Sequence, residues 1–267
     1  MEITDYAKQI VLPKPDSTKG ENGRVLVIGG SKLFHAASFW SATMASKIVD
    51  MVHFASPMRE NNELMRVKAK EKFWEGIVVP WEEVEHYISE DDCILIGPGM
   101  ERGEETRKIV NELLGKYPNK RWVVDGGALQ EVDPKLLTAN MIVTPNKREQ
   151  EILEKKLTSQ QTNKLAERGV TVLAKGVIDV VSCGQERVEI SGGSAGMTKG
   201  GTGDVLAGIV AGLYAKSSAM ASCVVASQAN KRAGEELEKK VGVFFSASDL
   251  IGEVQRVMGE IRLAVHL

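Results

Sequence analysis

The strongest constraint on the fold of this chain is a recurring pair: a short apolar run followed at once by a turn of small or polar residues. Arg24-Val25-Leu26-Val27-Ile28 runs into Gly29-Gly30-Ser31, and Cys93-Ile94-Leu95-Ile96 into Gly97-Pro98-Gly99. Trp122-Val123-Val124 meets Asp125-Gly126-Gly127, and Met141-Ile142-Val143 meets Thr144-Pro145-Asn146. Runs apolar at successive positions and rich in β-branched residues are those of strands buried on both faces. Val170 to Ala174 and Val177 to Val181 predict two more strands. Between them, residues Ala36 to Val49, Glu104 to Lys116 and Ser218 to Lys239 read as helices, with Ala37, Ala42 and Ala45 small enough for close packing. This alternation predicts an α/β fold: a mostly parallel sheet with helices on its faces. Pro80 to Tyr87 reads as surface connection. With no linker, repeat or low-complexity segment, residues 1–267 are expected to form one domain.

Composition narrows the function. Aromatic residues are 5% of the chain, so the core must be mainly Val, Ile, Leu, Ala and Met. A formal net charge of -2 argues against a nucleic-acid backbone partner. Cys93, Cys183 and Cys223 are scattered and odd in number, which predicts reduced thiols rather than a disulfide framework or a metal site. His35, His53, His86 and His266 form no evident cluster. No run of about 18 apolar residues appears, so no membrane span is expected. MEITDYAKQI has no signal-peptide apolar stretch, and a cytoplasmic enzyme is expected.

The chemistry is expected at the glycine-rich stretch from Gly192 to Asp204. It leads into Val205-Leu206-Ala207-Gly208-Ile209-Val210-Ala211-Gly212-Leu213, a small-residue apolar segment that reads as a buried helix. A glycine loop opening a helix presents free N–H groups and the positive end of the helix dipole, which together favour phosphate. Asp204 falls in the first helical turn. A carboxylate there repels phosphate, so it is better read as a base taking a proton from an attacking hydroxyl. Locally, an acid that merely complements the helix dipole reads the same way. The Gly-Lys-Ser/Thr ending of a Walker A loop is missing.

Met197 to Gly208, with its Gly-Gly-Thr-Gly-Asp turn, resembles the ribokinase-like superfamily. An ordered set of further matches resembles one branch, the ADP/ATP-dependent NAD(P)H-hydrate dehydratases. Lys19-Gly20 and Gly23 precede the first strand, and Gly29-Gly30-Ser31, Ala36-Ala37-Ser38, Gly97-Pro98-Gly99 and Lys175-Gly176 follow in family order. The resemblance spans residues 10 to 255. It implies a three-layer α/β/α fold and a substrate that is a hydrated nicotinamide cofactor, NADHX or NADPHX. It implies ADP or ATP as phosphoryl donor, with magnesium carried by the nucleotide. By the same resemblance Asp204 is catalytic, and Gly201, Thr202 and Gly203 form an anion hole. Lys175, Gly176, Val177, Ile178, Asp179 and Gly203 face the nucleotide, and Ala37, Gly99, Asn146 and Asp204 the substrate. Glu149 orients a magnesium-bound water, Asp125 touches substrate or ion, and relatives commonly form tetramers, so a homo-oligomer is expected.

Four departures stand out. The family's His-Pro-Gly-Glu reads Asn146-Lys147-Arg148-Glu149, its Asp-x-Asp-Ala-Leu reads Asp125-Gly126-Gly127-Ala128-Leu129, Thr18 replaces a usual histidine, and Phe34 a frequent tyrosine. The epimerase domain fused to some relatives is not expected in 267 residues. Asn146 with Glu149 also fits the Asn-x-x-Glu of the superfamily's kinases, so a small-molecule kinase is the second reading. A nucleotide-binding regulator without turnover is the third.

Overall fold

The computed structural model describes residues 3–69, 75–157 and 163–266. Among them nine strands form a single sheet: β1 (Arg24–Ile28), β2 (Met51–Ala55), β3 (Gly76–Val78), β4 (Cys93–Ile96), β5 (Arg121–Val124), β6 (Met141–Val143), β7 (Thr171–Ala174), β8 (Asp179–Cys183) and β9 (Glu186–Ile190). Their order is β3-β2-β1-β4-β5-β6-β7-β8-β9. Pairing is parallel from β3 to β7, and β8 and β9 close the far side as antiparallel strands.

β4 and β6 are apolar at every position, and β1 and β5 after a leading arginine, because both faces are covered. Alternate residues of each strand enter different cores. Val25, Val27, Leu95 and Val123 join the helices Thr202–Tyr214, Ala219–Val241 and Ala247–His266 on one side. Leu26, Ile28, Ile94, Ile96, Trp122 and Val124 join the helices Val84–Glu90, Glu104–Lys116 and Lys147–Lys156 on the other. Each fully buried Val, Leu or Ile contributes about 1.5–3 kcal/mol, so the sheet needs both layers. The expected three-layer α/β/α architecture is the one found.

Glycines set how closely the glycine-loop helix approaches its neighbour. A Cβ on Gly208 would fall 2.5 Å from the Ser41 carbonyl oxygen, and one on Gly212 2.9 Å from the Ile48 Cβ. The helix Thr202–Tyr214 therefore lies almost backbone to backbone on His35–Ala45. No helix among the described residues is long and apolar enough to cross a membrane.

Several expectations need correction. Pro80 to Tyr87 is not plain connection: Trp81–Glu83 is a 3-10 turn leading into the helix Val84–Glu90, which buries Val84 and Ile88 four residues apart. The strand expected from Val177 begins at Asp179. The Asp179 Oδ1 accepts the Gly176 N–H at 2.8 Å, which holds Val177 and Ile178 in an exposed turn. The helix expected to reach Val49 ends at Ala45. β2, β3 and β9 were not anticipated. β2 carries His53, whose Nδ1 lies 2.8 Å from the Asp91 carboxylate inside the fold. β3 is three residues long, too short to read as a strand, and β9 is an edge strand rich in charge.

Candidate active site

The expected turns gather at the carboxyl ends of β1, β4, β5 and β6, the edge where open α/β sheets bind ligands. Tight backbone contacts join them. The Gly30 N–H donates to the Pro98 carbonyl at 2.7 Å, and the Asp125 N–H to that of Ile96 at 3.0 Å. Gly99 has a φ of +72° and sits against the Phe34 carbonyl, 2.1 Å from where a Cβ would lie. Only glycine fits that position.

The glycine loop reaches this edge from the other side. Gly201 takes the left-handed backbone (φ +99°) and caps the helix that begins at Thr202. Its missing side chain leaves room for Trp40, whose ring would be 2.5 Å from a Cβ. The Thr202 hydroxyl lies 2.6 Å from the Met197 carbonyl, and Lys199 Nζ donates to the Phe245 carbonyl at 2.7 Å, so the loop is tied to itself and to the segment before the helix Ala247–His266. Ser41 Oγ donates to the Asp204 carbonyl at 2.8 Å, fixing the first turn against the helix His35–Ala45.

Two cavities meet at this turn. The larger, about 720 Å³, is lined by Lys175, Gly176, Val177, Asp179, Thr202 and Gly203, with Asn146 at its edge. The smaller, about 460 Å³, is lined by Ala37, Gly99, Phe34, Met100, Gln130 and Asp204. Both volumes suit small-molecule ligands. Successive residues of one helical turn thus face different chambers, Gly203 the larger and Asp204 the smaller.

The charges between them form one system. Lys175 Nζ lies 2.7 Å from Asp125 Oδ1, which also accepts the Thr144 hydroxyl at 2.6 Å. Glu149 is 6% exposed and accepts the Asn146 N–H at 2.9 Å. Burial pushes the Asp204 carboxyl up, Asp125 and Glu149 push it further, and Lys175 pulls it down; the result is about 7. The helix dipole favours the anion, yet desolvation and two neighbouring carboxylates win. Burial likewise raises Glu149, against the pull of Lys175. For Lys175, burial favours loss of the proton, but Asp125, Glu149 and Asp204 together hold its ammonium above the ordinary lysine range. A carboxyl near neutrality, half-buried at a helix start, is suited to accept a proton.

The expected residues separate cleanly. Ala37, Gly99 and Asp204 share the smaller cavity, whereas Asn146 lines the larger one with Lys175. Of the nucleotide set, Ile178 lies outside the cavity lining and is 50% exposed, and Asp179 is buried and hydrogen-bonded to Gly176 and Ser227. Asp125 is committed to Lys175 and Thr144. Glu149 forms a capping box with Asn146. His35, His53 and His86 line neither cavity, and the His266 side chain lies outside the described residues. The sequence reading missed Lys231 and Asn230, which line the larger cavity from the helix Ala219–Val241, and Gln130 in the smaller. Neither Lys231 nor Gln130 carries a pattern that sets it apart in the sequence.

Comparison with known proteins follows the same lines. The chain is 32% identical over 263 residues to the bifunctional NAD(P)H-hydrate repair enzyme of Methanocaldococcus jannaschii, covering 96% of this chain and 52% of that enzyme. It thus spans about half the length of that relative. It is 32% identical over 271 residues to the ADP-dependent (S)-NAD(P)H-hydrate dehydratase of Nitrosopumilus maritimus, covering 92% of this chain and 91% of the relative. The fold matches the ADP/ATP-dependent NAD(P)H-hydrate dehydratase of Bacillus subtilis, co-crystallised with ATP and magnesium, with a TM-score of 0.77 at 17% identity over 97% of each chain. The family model described as NAD(P)H-hydrate dehydratase matches residues 25–256, from the first strand to the last helix. On that match the chain belongs to the NAD(P)H-hydrate dehydratase family.

Proposed function

We propose that this chain, as one domain over residues 1–267, dehydrates (6S)-NADHX or NADPHX to NADH or NADPH at the expense of ADP or ATP. The observation that carries the reading is the turn shared by the two cavities, with Thr202 and Gly203 facing one and Asp204 the other. The nucleotide occupies the larger cavity beside Lys175, Gly176 and Val177. The hydrated nicotinamide ring occupies the smaller, against Ala37 and Gly99. Asp204 takes the proton of the ring hydroxyl, whose oxygen attacks the terminal phosphorus of the nucleotide. The bond to the nucleotide breaks, leaving AMP from ADP or ADP from ATP. Phosphate is a better leaving group than hydroxide, and its elimination with loss of a ring proton restores the reduced nicotinamide.

The backbone amides of Gly201, Thr202 and Gly203 stabilise charge as the phosphoryl group crosses. Most of the acceleration in such a transfer is positioning and electrostatics. Magnesium fits as an ion brought by the nucleotide. Among the described residues no group of three or more His, Cys, Asp or Glu side chains is placed to hold a metal, and Mg²⁺ commonly binds through phosphates and waters. Bound there it would neutralise phosphate charge, and Glu149, through the capping box it forms with Asn146, would be the acid to orient a bound water. This reading places the enzyme in the cytoplasm as a homo-oligomer.

A small-molecule kinase is the second reading, favoured by the Asn146–Glu149 pair beside Lys175. Incubation with NADHX, magnesium and either nucleotide separates the two. Return of the reduced-nicotinamide absorbance is expected; its absence with both ADP and ATP overturns the dehydratase reading, and a phosphorylated small-molecule product would favour the kinase.

A further inference from the structure

Lys231 is a lysine inside the wall of the larger cavity, 6% exposed, on the helix Ala219–Val241. Its Nζ donates to the carbonyls of Val177 at 2.9 Å, Gly176 at 3.1 Å and Gly192 at 3.3 Å. Those three acceptors use all three ammonium donors. The first two belong to the turn after β7, the third to the glycine loop after β9. Both segments lie outside the strands and helices. Val177 is 90% exposed and buries little that would hold the turn, and Gly192 and Gly193 have φ of +101° and +97°. The ammonium also lies 3.5 Å from Asp179 Oδ1. Asp179 and Glu235, which accepts the Gly193 N–H at 2.9 Å, are acids beside a cavity read as binding an anion.

Resting on the nucleotide reading above, we propose that Lys231 is a positioning residue for the phosphoryl donor. Its ammonium staples the turn after β7 to the glycine loop after β9 and cancels the Asp179 charge in the cavity wall. It does so without touching the donor, because its hydrogen bonds are already spent on backbone. Removing the ammonium alone would leave a buried carboxylate without its counter-charge and three carbonyls without a donor. What the lysine adds is loop order and a neutral wall, both of which act on nucleotide affinity. A disordered wall and an uncompensated carboxylate would each weaken a nucleotide and leave the Asp204 chamber as it is.

The test is calorimetric titration of the purified chain with magnesium and ADP or ATP, paired with steady-state kinetics. Lys231→Met is expected to weaken both nucleotides and raise their KM about tenfold, the scale of losing charge-assisted hydrogen bonds. The KM for the hydrated cofactor and kcat at saturating nucleotide should stay within about twofold of wild type, as expected when only donor binding is lost. Lys231→Arg should recover most of the affinity, and adding Asp179→Asn to Lys231→Met part of it. If the Met variant is unfolded, Lys231→Gln, which keeps donors without charge, carries the same measurement. Nucleotide affinity of the substituted chain within about twofold of wild type, or an Arg variant no better than Met, overturns the proposal. A wild-type chain that binds neither nucleotide removes the nucleotide reading and this one with it. Wild-type binding with an unaffected Met variant removes only this one.

Discussion

Lys175 Nζ stands 2.7 Å from Asp125 Oδ1 and 3.5 Å from where a Cβ on Gly203 would lie, so one ammonium joins a buried carboxylate to the start of the helix Thr202–Tyr214. The pair is buried, with the side chains 16% and 3% exposed. Lys175→Met would strand Asp125 and Glu149 without a counter-charge, a loss of about 3–5 kcal/mol for a broken buried pair. It would also remove the ammonium that pulls Asp204 down. Chemical denaturation should show the destabilisation, and the acid limb of the activity profile should move to higher pH. An unmoved limb in a folded variant would separate Lys175 from Asp204.

Asp204 itself predicts two opposite effects. As the base it must be ionised, so activity should fall as pH drops through about 7, and Asp204→Asn should cost about 10²–10⁴-fold in kcat with nucleotide affinity little changed. Its folded value lies above the ordinary aspartate value of about 4. Between these limits the folded protein holds a proton that the unfolded chain has released, so stability contributed by this site is full below about 4 and lost as pH rises through about 7. Asparagine needs no such proton. Asp204→Asn should therefore raise thermal stability at pH 8 by about 1–3 kcal/mol and by little at pH 4. Wild-type-like turnover in that variant would remove Asp204 from its role.

The neighbouring glycines should respond differently to one methyl group. Gly201→Ala forces a side chain into the left-handed backbone and onto the Trp40 ring at 2.5 Å. The backbone alone costs about 1–2 kcal/mol, and the displaced loop should lose turnover as well. Gly203→Ala meets only Lys175 Nζ at 3.5 Å, an ordinary contact, and alanine favours helix by up to about 1 kcal/mol. Its stability should hold or rise while the KM for nucleotide increases, because the methyl enters the larger cavity. Thermal unfolding and nucleotide titration of the two variants check the contrast; equal behaviour would mean that Gly203 does not face the donor.

Strands β1, β4, β5 and β6 were legible because strands buried on both faces read as near-continuous apolar runs, and the small or polar turns ending them mark the ligand edge. The turn Gly200 to Asp204 was legible because a phosphate-binding helix start needs backbone without side chains. What escaped were features whose signal is a partner rather than a pattern. β2 hides behind His53, a polar residue made compatible with burial by Asp91 from another part of the chain. Lys231 looks like a surface lysine until two loops bring it three carbonyls. The side of the turn on which Asn146 falls depends on a bridge between Asn146 and Lys175 that only the folded sheet makes.

Asn146 stands where the resemblance implies a histidine, and its geometry gives it two separable duties. Its Oδ1 accepts the Glu149 N–H at 3.0 Å while Glu149 accepts the Asn146 N–H, a reciprocal cap on the helix Lys147–Lys156. Its amide nitrogen has no hydrogen-bond partner among the described residues, and the residue lines the larger cavity. Asn146→Ala should lose about 1 kcal/mol from the missing cap and also bind nucleotide more weakly. Asn146→Ser keeps a capping oxygen and discards the free amide. It should regain the stability yet leave nucleotide affinity reduced by about 1 kcal/mol, roughly fivefold, the usual scale of one hydrogen bond. If serine restores both together, Asn146 serves only the cap, and the difference from the family's histidine is one of helix chemistry rather than ligand contact.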